Sequence, residues 1–323
     1  MTVRRRYKNG IQATDTVVMV PPVDFGFNSQ TAADNKFQTQ TELEASQISE
    51  QAVVEYQDMV TQMKAAGVHV LELSPSNSAK VKTPDAVFPN NWFSTSADGD
   101  LIIYPMAAEN RRREVRLHDL KVLLRTHGYT IHNYHQIVSE DGYLEGTGSL
   151  VFDHLNRMIF AAESMRCNAQ LFKNYLNMFG YRGYFFRTLS THSMPIYHTN
   201  ILMSVGTKFA VVCLDAISDS RERLRVKNAL ASRDLIEISK VQMEQNYCGN
   251  IIELSSVSGD PIILMSKRAL SGFTSSQLST LHQYGQILSV SIPTIESVGG
   301  GSARCMVAEI FLPRSRKVEE PKN

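Results

Sequence analysis

The sequence is poor in net charge, in long apolar runs and in cysteine, and each shortage closes a class of function. Its 33 Lys+Arg nearly cancel 32 Asp+Glu, leaving +1 at pH 7 over 323 residues. No basic field is therefore available for nucleic-acid phosphates, and no polybasic patch for a membrane surface. The longest apolar runs, such as Phe209–Leu214 and Pro261–Met265, fall far short of the ~20 residues of a membrane-spanning helix. Arg4–Arg6 is followed by Asn9, Gly10, Asp15 and Thr16 rather than by the apolar core of a secretory signal. Four cysteines, Cys167, Cys213, Cys248 and Cys305, lie far apart. They form neither a disulfide framework nor a zinc knuckle, so a reducing cytoplasm is the expected compartment.

What is present is regular. Apolar residues at helical spacing predict helices over Thr41–Ala66, Arg111–His127, Cys167–Phe179, Ser218–Ala231 and Thr274–Tyr284. β-rich runs follow them at Val68–Leu73, Tyr129–Tyr134, Tyr184–Leu189, Leu235–Ser239 and Gln286–Ile292, and a further run, Thr16–Val20, precedes the first helix. Before a helix comes a pair of strand candidates, for example Gly148–Asp153 with Met158–Ala162, or Ile201–Val205 with Phe209–Leu214. That makes five units of strand, strand, helix, strand. Markers in the last strand of each unit (Leu71, His132, Phe186, Glu237 and Ser289) step by 61, 54, 51 and 52 residues. With no capping sequence in view, such a period predicts a closed ring rather than an open solenoid.

Four segments place a reactive residue beside a strand with Gly or Pro shaping the backbone. They are Thr83–Trp92, Leu144–Phe152, Tyr197–Ile201 and Gly299–Met306, carrying Asp85, Glu145, His198 and Cys305. Successive separations are 60, 53 and 107 residues, the last about two repeats. Equivalent places in a closed ring converge on its axis, so the four are expected to share one pocket. A thiol with an imidazole suits nucleophilic attack on an electrophilic carbon, and a carboxylate can hold the imidazole. A second carboxylate can grip a planar N–H-rich group.

These segments resemble the guanidine-modifying (pentein) superfamily of arginine deiminases, dimethylarginine dimethylaminohydrolases, agmatine deiminases and amidinotransferases, over about residues 15–313. The likeness is greatest to bacterial citrulline-utilisation hydrolases and other arginine-deiminase-related, amidinotransferase-like proteins. Val23–Gln38, with Phe25–Asn28 and Thr31–Asp34, shares it. The resemblance implies an α/β fold, a five-bladed ββαβ propeller with pseudo-five-fold symmetry, as one domain over 1–313 with a flexible tail at 314–323. It also implies Cys305 as nucleophile, His198 as general acid/base, Glu145 as its catalytic partner, Asp85 as the substrate grip and Arg166 as the partner of a substrate α-carboxylate. No cofactor and no metal are implied. The expected partner is a small amino-acid substrate, citrulline or an arginine derivative, and a homo-oligomer is compatible with the likeness.

Asn200 departs from the pattern, because many deiminases carry Asp two residues after the His. An amide brings no charge and could donate to a ureido oxygen, so the expected reaction is hydrolysis of citrulline to ornithine, carbon dioxide and ammonia. The alternatives are hydrolysis of arginine or methylarginine, amidino transfer to an acceptor amine, and a non-catalytic propeller that binds a small molecule.

Other features have plainer readings. Cys167, Cys213 and Cys248 read as small buried hydrophobes. Arg111–Arg113, flanked by Glu109 and Glu114, reads as a solvated face. His132 and His135 fall on opposite faces of a strand, which with His127 makes no metal set. Gly299–Gly301 lacks the strand–loop–helix setting of a dinucleotide loop. Trp92 belongs to the core or to a pocket wall. Tyr247–Asn250, in the one unit without a candidate, is placed to line the pocket, with no role beyond position.

Overall fold

A computed structural model describes residues 10–74 and 82–315. Arg4–Arg6 and most of the expected tail, from residue 316, lie outside the described residues. Arg314 and Ser315 are tied down: Tyr129 bridges Arg314, and the Ser315 N–H donates to the Gly128 carbonyl at 2.9 Å.

Among the described residues there are five three-stranded sheets, all built alike. The second to fifth are β3 (Phe93–Thr95), β4 (Asp100–Ile103) and β5 (Asn133–Gln136); β6 (Val151–Asp153), β7 (Met158–Ala162) and β8 (Arg182–Phe186); β9 (Met203–Val205), β10 (Phe209–Val212) and β11 (Asp234–Glu237); and β12 (Ile252–Ser255), β13 (Pro261–Ser266) and β14 (Gln286–Val290). In each, the first strand runs antiparallel to the middle one and the last runs parallel to it. A parallel return requires a crossover, and each sheet has a helix between its second and third strands. These helices are Leu117–Thr126, Ala169–Phe179, Ser220–Ala229 and Ser275–His282.

The first blade is assembled from both ends of the chain. β1 (Thr16–Met19) pairs in parallel with β2 (His69–Glu72) across the helix Ala45–Ala65, and its inner strand is β15 (Ala308–Glu309). The register Val17 to Glu309 and Val18 to Ala308 closes the ring. Ile48, Ala52, Tyr56, Met59, Val60 and Met63 form the buried stripe of the first helix. The middle strands are almost wholly buried, as in Phe209–Val212 and Met158–Ala162, because helices cover one face and the ring interior the other.

The predicted repeat is present, with shifted boundaries. The expected helix Arg111–His127 is two pieces, a turn Glu109–Arg112 and the helix Leu117–Thr126. The turn carries Arg111 into the interior, which a continuous helix on the rim could not do.

Candidate active site

The inner strand of every blade is preceded by a segment at the ring axis. Asp85 lies before the turn Pro89–Asn91 and β3, Glu145 opens the turn Gly146–Ser149 before β6, and His198 opens Thr199–Leu202 before β9. Asn250 stands before β12, and Cys305 lies in the turn Ala303–Met306 before β15. Hydrogen bonds join neighbouring turns. The Thr199 hydroxyl donates to the Ser149 carbonyl at 2.7 Å, the Thr147 hydroxyl to the Asn90 carbonyl at 3.3 Å, and the Asn250 amide to the Asn200 carbonyl at 3.0 Å.

The Glu-Gly-Thr-Gly sequence has a steric reason. Gly146 has φ 43°, and a Cβ there would stand 2.4 Å from the Asn90 carbonyl oxygen. A Cβ on Gly148 would meet His198 Cε1 and Nδ1 at 2.8 Å and Asn91 Nδ2 at 2.4 Å. The missing side chains are what lets the turn pack against the imidazole.

Asp85, His198 and Cys305 line one buried cavity together with Arg111, Arg166 and Tyr197. It measures about 10 Å³, the room of one water. Glu145 sits behind it, fully buried. One Glu145 oxygen, Oε2, is 2.8 Å from His198 Nε2, and the other accepts the Ala107 N–H at 2.9 Å. Burial works to raise the Glu145 pKa, but Arg166, the His198 hydrogen bond and Arg111 together hold it well below the usual carboxylate range. Burial lowers the His198 pKa, with Glu145 pulling the other way. A neutral imidazole beside an ionised carboxylate carries its proton on Nε2, leaving Nδ1 free to take another.

The Cys305 sulfur receives two side-chain N–H groups, from Asn250 Nδ2 at 3.3 Å and Asn200 Nδ2 at 3.5 Å. Burial raises the thiol pKa; the Asn250 bond, a backbone bond at Ser302, Arg304 and Asn200 act against it.

Asp85 Oδ2 accepts from Asn28 at 2.7 Å and from Thr31 at 3.2 Å, while Oδ1 is buried with no partner among the described residues. Burial raises this carboxyl despite Arg111 and Asn28.

One expectation needs correction, and two other residues meet competing partners. Arg111 is no surface residue: it is 1% exposed, with Glu114 at 3.0 Å, Asn91 Oδ1 at 2.7 Å, Asp85 at 3.8 Å and Glu145 at 3.9 Å. Several buried carboxylates need a cation among them, so the first arginine of the run turns inward while Arg112 and Arg113 stay outside. Burial pushes Glu114 up to about 7 against the pull of Arg111. Asn200, expected to hold the substrate, has its amide on the sulfur instead. It lines a separate cavity of about 30 Å³ that also touches Glu253 and Arg304, and its Oδ1 is buried without a partner among the described residues. Arg166 does reach the pocket, stacked over Tyr197 at 4.7 Å, but Asp34 holds its Nε and Nη2 at 2.7 and 2.6 Å. A substrate carboxylate would have to displace Asp34.

Asp34 and Glu114 carry no site role in the sequence reading, and Asn250 only a position beside the pocket. Asp34 and Glu114 pair with arginines that read as free, and the Glu114 signal is its i,i+3 spacing from Arg111. Trp92 is core, 1% exposed, and Cys167, Cys213 and Cys248 are buried thiols. His135 pairs with Asp100 at 3.1 Å. Among the described residues no group of His, Cys, Asp or Glu is arranged to hold a metal, and no helix is long and apolar enough to cross a membrane.

Residues 21–312 match the family described as N,N dimethylarginine dimethylhydrolase, eukaryotic. The chain belongs to this family. It is thereby a member of the pentein superfamily. Solved structures agree on the fold. ArgZ, an arginine dihydrolase from the ornithine–ammonia cycle in cyanobacteria, is 15% identical with a TM-score of 0.72 over 94% of this chain and 42% of its own. Its N-terminal domain with bound substrate gives 15% and 0.67 over 90% and 96%. A dimethylarginine dimethylaminohydrolase adduct with S-methyl-L-thiocitrulline gives 16% and 0.62 over 91% and 98%. The chain thus spans about two fifths of full-length ArgZ. No curated protein sequence matches it.

Proposed function

We propose that the protein hydrolyses the guanidino group of an arginine-type amino acid, arginine or an Nω-methylarginine, through a covalent intermediate on Cys305. The observation that carries this is one buried pocket holding a thiol, a Glu145-oriented imidazole and a carboxylate oxygen without a partner. Around it stand four carboxylates, Asp34, Asp85, Glu114 and Glu145, against two arginines, Arg111 and Arg166. Burial raises two of these carboxyls, Asp85 and Glu114, and a bound cation favours their ionised forms. The unpartnered Asp85 oxygen suits an N–H donor.

In this reading His198 takes the Cys305 proton and the thiolate attacks the guanidino carbon. A C–S bond forms, the C–N bond to the leaving amine breaks, and His198 returns the proton to that amine. His198 then deprotonates a water, whose oxygen attacks the same carbon. The C–S bond breaks, the thiolate is restored and a ureido product leaves. Asp85 holds the planar nitrogens, and Glu145 fixes the imidazole.

A second reading, hydrolysis of the ureido group of citrulline, is favoured by a different observation. Arg111 and Arg166 both line the pocket, and two cations in the wall oppose a third. Asn200, whose amide lies 3.5 Å from the sulfur, does not by itself favour either group. Purified protein incubated with arginine, methylarginine, agmatine and citrulline, with citrulline, ornithine and ammonia measured, separates these readings. We expect higher kcat/KM for the guanidino amino acids; a tenfold preference for citrulline selects the second reading. No turnover of any of them refutes both.

A further inference from the structure

The Tyr247–Asn250 segment has a place in this chemistry. We propose that Asn250, with Asn200, forms a cradle of amide N–H donors that stabilises the Cys305 thiolate, Asn250 being the main donor. The inference rests on Cys305 being the nucleophile, as proposed above.

The geometry is specific. Asn250 is wholly buried, and its Nδ2 lies 3.3 Å from Sγ while also donating to the Asn200 carbonyl at 3.0 Å. That second bond fixes the amide plane with Nδ2 nearer the sulfur. The protonated thiol itself donates to Asn250 Oδ1 at 3.7 Å, a bond that ionisation gives up. The bond to the Asn200 carbonyl also sets the turn from which Asn200 offers its own Nδ2 at 3.5 Å. Two neighbouring blades thus aim N–H groups at one sulfur from the third.

Besides the backbone bond at Ser302, other sources of thiolate stabilisation are weak here. Arg304 adjoins the cysteine, but its guanidinium is bound to the Val307 carbonyl at 3.1 Å and to Glu309 at 2.7 Å. Across the pocket stand His198, Asp85, Arg111 and Arg166, the two arginines engaged by carboxylates. Tyr197 also lines the pocket, and Tyr247 ends the helix Lys240–Asn246 just before Asn250. Their hydroxyls donate elsewhere, to the Gly300 and Glu296 carbonyls. Among the described residues, the side-chain hydrogens directed at Sγ come from the two amides. A buried thiolate with no adjacent free cation needs such donors, since a hydrogen bond to a charged group is stronger than one to a neutral group.

The test measures thiol ionisation in the free enzyme, where no substrate enters. The rate of alkylation by iodoacetamide is followed from pH 6 to pH 10, and the Cys305→Ser variant supplies the background from Cys167, Cys213 and Cys248. Asn250→Leu keeps the shape and removes the donors; Asn250→Asp keeps the shape and replaces the donors with a negative charge. We expect the midpoint to rise by about one pH unit in the Leu variant, about tenfold slower alkylation at a pH below it, and further in the Asp variant. Turnover should lose about tenfold or more in kcat with KM within about threefold, because Asn250 does not line the substrate cavity. A merely structural role would lower thermal stability without moving the alkylation midpoint. Wild-type midpoints in the folded variants overturn the proposal, and the isosteric Asp variant decides alone if Leu does not fold. Failure of the functional reading shows separately, as absence of turnover in a wild-type enzyme whose thiol ionises as expected.

Discussion

Replacing Asp85 by Asn should separate binding from stability, and the two effects should have opposite signs. The substitution preserves shape and removes a charge that is 3% exposed and 3.8 Å from Arg111. For a bound guanidinium it leaves a buried cation without its partner, which costs about 3–5 kcal/mol. The expected fall in kcat/KM for a guanidino amino acid is therefore about 10² to 10⁴. The free protein should respond the other way. Burial holds the Asp85 carboxyl above its usual range, so the folded chain binds that proton more tightly than the unfolded chain. The protonated form's contribution to stability is present at low pH and is lost as pH rises through the raised value. Arg111 keeps Glu114 at 3.0 Å when Asp85 is neutral. The variant should then melt at or above the wild-type temperature at pH 8, with the difference shrinking as pH is lowered toward about 4, the ordinary carboxylate range. Steady-state kinetics and thermal melts across pH check both halves. A kcat/KM within tenfold of wild type, or a variant that melts well below wild type at pH 8, would refute the reasoning.

Cys305→Ser should fold with a normal melting temperature and lose turnover by several orders of magnitude, because a serine hydroxyl is a far weaker nucleophile than a thiolate at neutral pH; near-wild-type rates exclude covalent catalysis. Gly148→Ala should cost about 1–3 kcal/mol from overpacking and about a hundredfold or more in kcat, since the new methyl would stand 2.8 Å from the His198 ring; denaturant titration and turnover are the measurements. Arg111→Met leaves Glu114 and Asp85 without their cation and should destabilise by about 3–5 kcal/mol. That loss should be larger at pH 8 than at pH 6, because Glu114, already pushed up to about 7, takes a proton more readily once the arginine is gone. Equal losses at the two pH values would argue against the buried charge cluster.

How much of this was legible beforehand follows from what repeats along the chain. The ring and the meeting of Asp85, Glu145, His198 and Cys305 are consequences of spacing: residues near 53 apart in a repeat of about that length occupy equivalent places, and equivalent places in a closed ring face its axis. Local chemistry also carried the Glu-Gly-Thr-Gly turn, whose glycines leave room for the imidazole. What spacing could not carry was the direction in which a side chain leaves its turn. Arg111 lies in a run that reads as solvated, yet it turns inward because Asp85, Glu114 and Glu145, from separate parts of the chain, bury charge around it. Asn200 follows His198 by two residues, but its amide points at sulfur supplied from 105 positions away. Arg166 is taken by Asp34, 132 residues earlier. Those choices depend on electrostatic and hydrogen-bond partners that meet only when the last inner strand, Ala308–Glu309, pairs with the first strand of the chain and closes the ring. Repeat spacing alone brings Asp85, Glu145, His198 and Cys305 to the axis. The closed tertiary structure decided what each of them touches there.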